Sequence, residues 1–326
     1  MLKTRFTEMM GIDHPIVQGG MQWVARAELA AGVSNGGGLG IMTALTQPTP
    51  DDLAKEIIRC KGMTDKPFGV NLTILPSLKP IPRKDYAQAI IDNGVKIVET
   101  AGNNPGEFIS MFKDAGIKVI HKCTAVRHAL SAQRLGVDVI AIDGFECAGH
   151  VGEDDITNQL LVPLAADALD IPVIASGGFG EGRQLASALA LGAEGINMGT
   201  RFMATKEAPI HDNVKQRLVD AGERDSVLIM RALRNTSRVF RNSVSEEVAR
   251  IEKEKGLDFK IEDVAELVAG ARGRHVYDEG DAEMGMWSAG MVAGVIHDVP
   301  SCKELIERIV SDAEDVIRGR MQSLVA

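Results

Sequence analysis

The sequence predicts an α/β fold of the TIM (β/α)8 barrel class, and three observations lead to it. The chain has eight short, continuous apolar runs, and most are followed by an amphipathic segment with helical spacing. Continuous rather than alternating apolar runs are typical of parallel strands covered on both faces. Glycine-rich and polar stretches follow the runs, where the loops of a barrel's active site would lie. A doubly wound open sheet is the alternative for this pattern.

The eight runs are spaced evenly through the first two thirds of the chain. They are HPIVQGG (14–20), GLGIMTAL (38–45), FGVNLTIL (68–75), VKIVETAG (95–102), IKVIHKC (117–123), VDVIAIDG (137–144), IPVIASGG (171–178) and EGINMGT (194–200). The segments between them, such as PDDLAKEIIRCK, begin with acidic, Asn or Pro residues and end at Gly, as helices do. The glycines of SNGGGLG (34–40) precede a strand, so we interpret them as a helix end rather than a dinucleotide-binding motif.

The strand rhythm stops near residue 209. Four consecutive segments are then expected to be helices: HDNVKQRLVDAG, SVLIMRALRNTSRVFRN, SVSEEVARIEKEKG and KIEDVAELVAGARG. We predict a barrel over residues 1–208 and a helical insertion, or small second domain, over 209–285. The C-terminal helices over 286–326 are expected to return to the barrel as its last outer layer.

Composition excludes several classes of protein. The net charge of −9 argues against a nucleic-acid surface. No apolar stretch approaches the roughly 18 residues needed to span a bilayer, and the N-terminal MLKTRFTEMMGIDHP lacks a secretory h-region, so a cytoplasmic protein without a membrane partner is expected. The four cysteines form no CxxC pair and no cluster with His, so neither disulfides nor a metal site is expected.

Two bare glycine turns end neighbouring predicted strands. Gly177-Gly178 follows the seventh run, and Gly199-Thr200 follows the eighth. The chain between them is long enough for one helix and one strand, so the two turns are expected on adjacent strands, about 5 Å apart. Glycine allows a ligand to approach backbone N–H groups, and the loops after strands seven and eight of such barrels commonly hold a phosphate. The sequence therefore predicts a phosphate monoester site, with glycines that merely end strands as the alternative.

Several of these segments resemble one known family. PIVQGGM, GVNLTIL, IASGGF, NMGTRF and above all GFECAGHVGED are similar to segments of the nitronate monooxygenase family, formerly the 2-nitropropane dioxygenases. The resemblance covers essentially the whole chain and implies a TIM barrel that binds FMN noncovalently. Within the family, LPSLKPIPRKDY (75–86) and HVGEDD resemble the bacterial branch that reduces quinones with NADH.

The resemblance also implies contacts with FMN, carried over position by position. Gly20 and Met21 would lie against the ring, Asn71 and Lys122 close to the flavin, Ala148 and Gly149 along the site, and Gly177, Gly178, Gly199 and Thr200 at the phosphate. Ser176 is also expected to contact the cofactor. Lys122 has a rationale of its own, because a fixed cation would stabilise the negative charge that two-electron reduction places near N1 and C2=O of a flavin. The alternative is a strand-end lysine paired with a neighbouring acid.

His150 is the candidate catalytic residue. It follows the sixth run in the loop ECAGHVGEDD, which would place its imidazole over the barrel mouth. The ordinary pKa of histidine lies near operating pH, so His150 can transfer a proton during turnover. The alternative is a hydrogen-bonded loop residue. A different enzyme class would use Cys123 or Cys147 as a nucleophile, but neither lies in a recognisable nucleophile motif and buried inert thiols are commoner.

Two further segments are candidates for substrate contact. The three prolines of LPSLKPIPRKDY favour a stiff wall beside a second substrate, with Pro76, Lys79 and Pro80 as contacts; an ordinary surface connection is the alternative. Ser288, beside Trp287 at the end of the insertion, is expected to return to the flavin edge, although core packing explains Trp287 equally well. Four arginines spaced to share one helical face are either ion-paired or bind nicotinamide dinucleotide phosphates: Arg231, Arg234, Arg238 and Arg241.

The resulting interpretation is an FMN-dependent oxidoreductase. Hydride from NADH or NADPH would reduce the flavin, and two electrons would then pass to a quinone. Nitronate oxidation with O2 is the alternative reaction, and a non-catalytic flavin-binding or phosphometabolite-sensing barrel is the alternative class. The expected partners are therefore small molecules (nicotinamide dinucleotide, quinone or nitronate), and the oligomeric state is left open.

Overall fold

A computed structural model describes residues 2–75 and 80–325 of the chain. Its centre is a closed barrel of eight parallel strands: β1 (Ile16–Gln18), β2 (Leu39–Thr43), β3 (Phe68–Ile74), β4 (Ile97–Gly102), β5 (Lys118–Cys123), β6 (Val139–Asp143), β8 (Val173–Ser176) and β9 (Ile196–Met198). Strand β1 pairs with both β2 and β9, which closes the sheet. Each of the eight predicted runs contains one barrel strand, so the TIM barrel prediction is confirmed.

Thirteen helices are described around and after this barrel. They are α1 (Arg5–Met10), α2 (Ala27–Asn35), α3 (Pro50–Lys61), α4 (Arg83–Asp92), α5 (Gly106–Asp114), α6 (Val126–Arg134), α7 (Asn158–Ala168), α8 (Gly182–Ala190), α9 (Thr200–Met203), α10 (Asp212–Val219), α11 (Ser243–Lys255), α12 (Gly270–Glu279) and α13 (Cys302–Asp315). Local signals explain their ends. In α3 the hydroxyl of Thr49 accepts from the backbone N–H of Asp52, Pro50 occupies the first turn, and Lys61 lies in the last turn.

The barrel interior is apolar at one end and polar at the other. Helix α1 closes the amino-terminal end with Phe6 and Met10, which pack against inward-facing strand residues such as Val17, Ile120 and Ile174. Two residues further along the strands, the inward positions become polar and remain buried: Asn71, Glu99, Asp143, Ser176 and Asn197. Buried polar groups need partners, so this pattern places the chemistry at the carboxyl ends of the strands.

The segment SVLIMRALRNTSRVFRN does not form the predicted helix. It is an antiparallel hairpin of β10 (Ser226–Ile229) and β11 (Ser237–Phe240), and β11 also pairs with the two-residue β7 (Gly149–His150). Two residues of its connection, Met230 and Arg234, have positive φ angles of 58° and 51°, which a helix does not allow. The predicted helical face of four arginines is therefore wrong. Helix spacing was present in this sequence, but pairing with the loop after β6 stabilises strands instead.

Other parts of the later chain agree better with the helix pattern. Helices α10 and α11 form where they were predicted, whereas in KIEDVAELVAGARG only a 3-10 turn at Ile261–Asp263 and the beginning of α12 are helical. Helix α13 packs against α2 and α8. The domain boundaries at residues 208 and 285 stay a prediction. No helix in the described part of the chain is long and apolar enough to cross a membrane.

Candidate active site

A cavity of about 400 Å³ lies at the carboxyl ends of the barrel strands. It brings together residues from six separate stretches of the chain, all of which the sequence had selected: Gly20, Met21, Lys122, Ala148, Gly149, His150, Ser176, Gly177, Gly178, Gly199, Thr200 and Ser288. Their convergence follows from the parallel topology, because every strand delivers its following loop to the same mouth.

The turn after β8 requires glycine for two independent reasons. Gly177 and Gly178 have φ angles of +90° and +83°, which L side chains rarely adopt. A Cβ on Gly177 would also lie 2.5 Å from Cβ of Cys147, and one on Gly178 would lie 2.9 Å from Cβ of Glu146. The loop after β6 therefore packs directly on this turn. The bare backbone of this turn fits a phosphate, and the phosphate site stays a prediction.

The second turn is tied to the returning C-terminal segment. The backbone N–H of Gly290 donates to Oγ1 of Thr200 over 3.0 Å, so the Thr200 hydroxyl keeps its own proton for a ligand. Beside it, Nδ2 of Asn197 donates to Oγ of Ser176 over 3.3 Å, while the buried Oδ1 of Asn197 has no partner among the described residues. An unpaired buried oxygen marks a place where a ligand donor would be stabilised.

Lys122 is a partly buried cation that interacts with two carboxylates. Its side chain is 23% exposed, and Nζ lies 3.6 Å from Oδ2 of Asp143. Burial by itself would lower the pKa of Lys122, but the carboxylates of Asp143 and Glu99 outweigh burial and raise the pKa above its ordinary value. The ammonium is therefore charged at neutral pH. The sequence offered two interpretations of Lys122, a cation at the cofactor site or a lysine paired with an acid. In the structure Lys122 lines the cavity and also pairs with Asp143.

Glu99 was not selected from the sequence. It lies in β4, is 1% exposed, and its Oε1 accepts from the backbone N–H of Gly20 at 3.1 Å and from Nδ2 of Asn71 at 2.7 Å. Burial raises the pKa of Glu99, although Lys122 and these two hydrogen bonds oppose the shift. A glutamate within the otherwise apolar run VKIVETAG was the available signal, since an acid in a fully buried strand needs a partner.

Asn71 lies directly behind the Gly20 backbone, and its predicted place close to the flavin stays a prediction. It is buried and does not line the cavity. A Cβ on Gly20 would lie 2.5 Å from Cγ of Asn71, so the Gly20 backbone covers the amide directly. Asn71 therefore supports the loop after β1 from behind, and Gly20 separates the Asn71–Glu99 pair from the cavity.

His150 is both a hydrogen-bonded loop residue and a cavity residue. It pairs with Ser237 through β7 and β11, and a hydrogen bond joins its side chain to Asn235. Its edge is exposed at the cavity mouth, but the surrounding protein desolvates the ring. Desolvation lowers the pKa of His150 below the ordinary 6.5, against the opposing effects of Asn235 and Glu153. The imidazole is therefore neutral near pH 7 and able to accept a proton.

A second cavity of about 610 Å³ adjoins the first. The residues common to both walls are Thr73, Leu75, Lys122, Asp143, Ala148 and His150. The outer wall carries cations, among them Arg127, which donates to Asp154 over 2.9 Å, and Arg234. In the part of the chain that the structure describes, the Arg234 side chain has no hydrogen bond or ion pair. The shared residues place Lys122 and His150 between two compartments.

The other three arginines of the predicted stripe have structural partners. Arg231 donates from Nη1 to Asp155 over 3.0 Å, and Arg241 donates to the backbone carbonyl of Arg224. Arg238 is buried, with its guanidinium 4.6 Å from the ring centroid of Phe145. Arg234 is therefore the member of the stripe that lines one of the two adjoining cavities.

Of the predicted substrate contacts that the structure describes, Ser288 lines a cavity and Pro80 does not. Pro76 and Lys79 lie outside the described residues, and Pro80 is described but lines neither cavity. Ser288 lines the first cavity, next to Trp287, which is 2% exposed and stacks on Phe240 with 4.2 Å between ring centroids. Trp287 is thus largely a packing residue.

The cysteines do not have the properties of nucleophiles. All four are free and buried. Burial raises the pKa of Cys123 to about 12 and that of Cys147 further still, so neither forms an appreciable thiolate at neutral pH. No group of three His, Cys, Asp or Glu side chains suited to a metal ion occurs within residues 2–75 and 80–325.

A parallel barrel with its cavity and opposed charges at the carboxyl ends of the strands is the arrangement of a TIM-barrel enzyme. Within that class, the model of the nitronate monooxygenase family matches residues 3–312, and the chain belongs to this family of oxidoreductases. The resemblance noted in the sequence is confirmed.

The relatives of the chain differ in the activities that their names describe. The chain is 35% identical, over 96% of both sequences, to (3aS,4S,5R,7aS)-5-hydroxy-7a-methyl-1-oxo-octahydro-1H-indene-4-carboxyl-CoA dehydrogenase of Mycobacterium tuberculosis. It is 30% identical to a probable nitronate monooxygenase of Staphylococcus saprophyticus, over 97% of this chain and 99% of the relative. Among solved structures, FabK from Thermotoga maritima is similar with a TM-score of 0.91 and 35% identity, covering 99% of this chain and 100% of FabK.

Proposed function

We propose that the protein is an FMN-dependent oxidoreductase that exchanges hydride between a nicotinamide dinucleotide and an acyl-CoA thioester. The observation that carries this proposal is the pair of adjoining cavities, which meet at Lys122 and His150. One compartment has the glycine cradle that a cofactor phosphate needs. The other is large and has cations on its outer wall.

The first cavity fits FMN by the chemistry of its walls. The cradle at Gly177 and Gly178 would hold the phosphate, and the Gly20–Met21 loop would lie along the ring. FMN, when bound, supplies a site that accepts and returns hydride. Lys122 would stabilise negative charge at the ring, because it is held charged by its carboxylate partners.

The second cavity supports a substrate that carries phosphates. Arg234 is available to bind an anion, and Arg127 and His128 lie on the same wall. Coenzyme A carries phosphates at the end of its molecule far from the thioester, so the reactive acyl group would reach inwards to His150. The dehydrogenase of Mycobacterium tuberculosis, whose printed name includes a carboxyl-CoA substrate, supports the same class.

His150 would transfer the proton in this reaction. In the oxidative direction the imidazole would take the proton from the carbon α to the thioester carbonyl, and bound FMN would supply the acceptor for the hydride of the β carbon, so that loss of both gives a C=C bond. In the reductive direction the imidazolium returns that proton. The lowered pKa of His150 favours the oxidative role at neutral pH, since the neutral ring is the base.

A quinone is the second candidate for the acceptor, as the sequence predicted. Leu75, Ala101 and Ala148 provide apolar contact for a flat, uncharged ring between the cavities. Quinone reduction with NADH or NADPH uses the same FMN cradle and the same Lys122. It requires no phosphate contact, and this difference separates the two candidates experimentally.

The test begins with the purified protein under anaerobic conditions. Flavin released by denaturation is identified as FMN or not, and the bound flavin is then mixed with NADH or NADPH. The reduced protein is then mixed with crotonyl-CoA or with benzoquinone. In a parallel aerobic assay, the oxidised protein is mixed with propyl nitronate. Reoxidation by crotonyl-CoA supports the proposal. Reoxidation by benzoquinone alone selects the quinone, and rapid turnover of nitronate without nicotinamide overturns both.

A further inference from the structure

The carboxyl group of Glu99 lies one residue behind the wall of the first cavity. Gly20 lines that cavity, and its backbone N–H donates to Oε1 of Glu99. Because Gly20 has no side chain, its peptide backbone is what separates Glu99 from the cavity at this point. A change of charge in the cavity therefore acts on Glu99 across a short, dry distance.

The two oxygens of Glu99 are treated differently by the fold. Oε1 accepts two hydrogen bonds, from Gly20 and from Asn71. Oε2 is buried and has no hydrogen-bond partner among the described residues. An ionised oxygen without a donor is costly in a buried site, and protonation at Oε2 would remove that cost without disturbing the two bonds at Oε1.

The charged groups that face Glu99 come from the next two strands. Lys122 on β5 favours the carboxylate, and Asp143 on β6 opposes it; the groups from the loop after β1 and from β3 are the uncharged Gly20 and Asn71. Burial opposes the carboxylate as well. Lys122 is thus the main charge that favours the ionised form of Glu99, and it is shared with Asp143.

We propose that Glu99 is a redox-linked proton site, which takes up one proton from solvent at Oε2 when the bound flavin receives two electrons and releases it on reoxidation. The step forms one O–H bond and breaks no bond to carbon. The electrons come from the nicotinamide substrate, so this inference rests on the proposed function. The physical cause is that negative charge added near Gly20 competes for the stabilisation by Lys122.

Glu99 acts in this proposal as a positioning residue that balances charge, and it does not contact substrate. The midpoint potential of the bound flavin measures this role directly. A tenfold change in proton activity shifts the potential of a two-electron couple by about 30 mV for each proton taken up. When reduction is accompanied by one proton, the midpoint potential changes by about 30 mV per pH unit. A second proton, taken up by Glu99, increases this slope to about 60 mV per pH unit over the pH interval in which Glu99 changes its protonation on reduction.

The test compares the holoenzyme with Glu99→Gln between about pH 5.5 and pH 8.5. A glutamine oxygen can accept from both Gly20 and Asn71, so the variant removes the titration while keeping the hydrogen bonds. We expect a steep interval in the wild-type protein that Glu99→Gln lacks, so that the variant keeps only the slope set by the protons that the flavin itself carries, about 30 mV per pH unit for each. Glu107→Gln is the matched control, because Glu107 is an exposed partner of Lys84, and it should retain the steep interval.

Proton uptake on anaerobic reduction, counted with an indicator dye in weak buffer, tests the wild-type protein alone. It keeps the inference falsifiable if Glu99→Gln fails to fold. One proton beyond that carried by the flavin supports the proposal. A wild-type slope near 30 mV per pH unit at every pH, or the same steep interval in Glu99→Gln, overturns it. A protein that binds no flavin would instead overturn the proposed function.

Discussion

Gly20 and Glu99, which are far apart in the sequence, are joined by a hydrogen bond of 3.1 Å from the Gly20 backbone N–H to Oε1 of Glu99. The bond connects the loop after β1 to β4, across the barrel mouth. Asn71 completes the contact from β3 with its own bond to the same oxygen. The loop that lines the first cavity is therefore held by a buried carboxyl group rather than by packing alone.

The glycine cradle gives the first prediction. Gly177→Ala should destabilise the fold by about 1–2 kcal/mol through its left-handed φ, and by about 1–3 kcal/mol more through crowding against Cys147. Gly136→Ala is the matched control, since Gly136 has φ +93° and nothing within 4 Å of an added Cβ. Urea unfolding measures both variants. Equal losses would show that crowding at Cys147 does not constrain the turn.

The phosphate role of the same turn is tested by a charge. Gly178→Asp should place a carboxylate in the cradle, and like-charge repulsion should leave the purified protein without FMN. Flavin content per chain is the measurement, and Gly178→Asn is the control of similar size without the charge. Full occupancy in Gly178→Asp would contradict the assignment of the phosphate to Gly177 and Gly178.

His150 should control the acidic limb of the pH profile. The neutral imidazole is the base, so oxidative activity should fall as pH decreases through a value below 6.5, because desolvation lowers the pKa. His150→Asn should retain FMN, lose about 10²–10⁴-fold in kcat/KM and lose that acidic limb. His275→Asn, at an exposed helix position, should change neither. An unchanged profile in His150→Asn would leave only a loop role for this residue.

Removing the cation of Lys122 should leave the buried carboxylates of Glu99 and Asp143 without compensation. Lys122→Met should lower the free energy of unfolding by about 3 kcal/mol at neutral pH. The control is Lys113→Met, which breaks a surface ion pair with Asp138 and should lower it by less than about 1 kcal/mol. Burial already raises the pKa of Glu99 in the folded state, and losing Lys122 should raise it further. The cost should therefore be complete above that folded-state pKa and decrease as acid protonates Glu99.

Urea unfolding at a series of pH values from about 8 to about 4 measures this dependence. Adding Asp143→Asn to Lys122→Met should recover part of the lost stability, because one uncompensated charge is removed. A loss that is the same across the whole series would contradict the shared-cation arrangement.

Arg234 tests the assignment of the second cavity. Arg234→Ala should raise the KM for a CoA thioester about tenfold, equivalent to about 1.4 kcal/mol, with kcat unchanged, because the contact is with phosphate and not with reacting atoms. Turnover of a pantetheine thioester lacking those phosphates should be unaffected. Arg231→Ala, whose guanidinium is occupied by Asp155, is the control. An equal rise in KM for both thioesters would show that Arg234 does not bind the phosphates of CoA.

The sequence determined the barrel and the cofactor side of the site. Parallel strands covered on both faces must carry continuous apolar runs, so β1 to β6, β8 and β9 could all be recognised from the pattern of residues alone. The cradle could be recognised for a similar local reason, since positive φ at Gly177 and Gly178 is a property of glycine itself. The position of His150 followed from its place after the sixth strand.

Only the tertiary structure decided which polar groups meet and how the later chain folds. The hairpin of β10 and β11 depends on pairing with β7, and a helix-compatible spacing of arginines carries no information about that partner. An acid within the apolar run VKIVETAG could mark Glu99 as unusual, but its partners Gly20 and Lys122 could be identified only from the tertiary structure. Short-range propensity acts along the chain, whereas the energy of a buried charge is set by neighbours that the fold alone brings into contact.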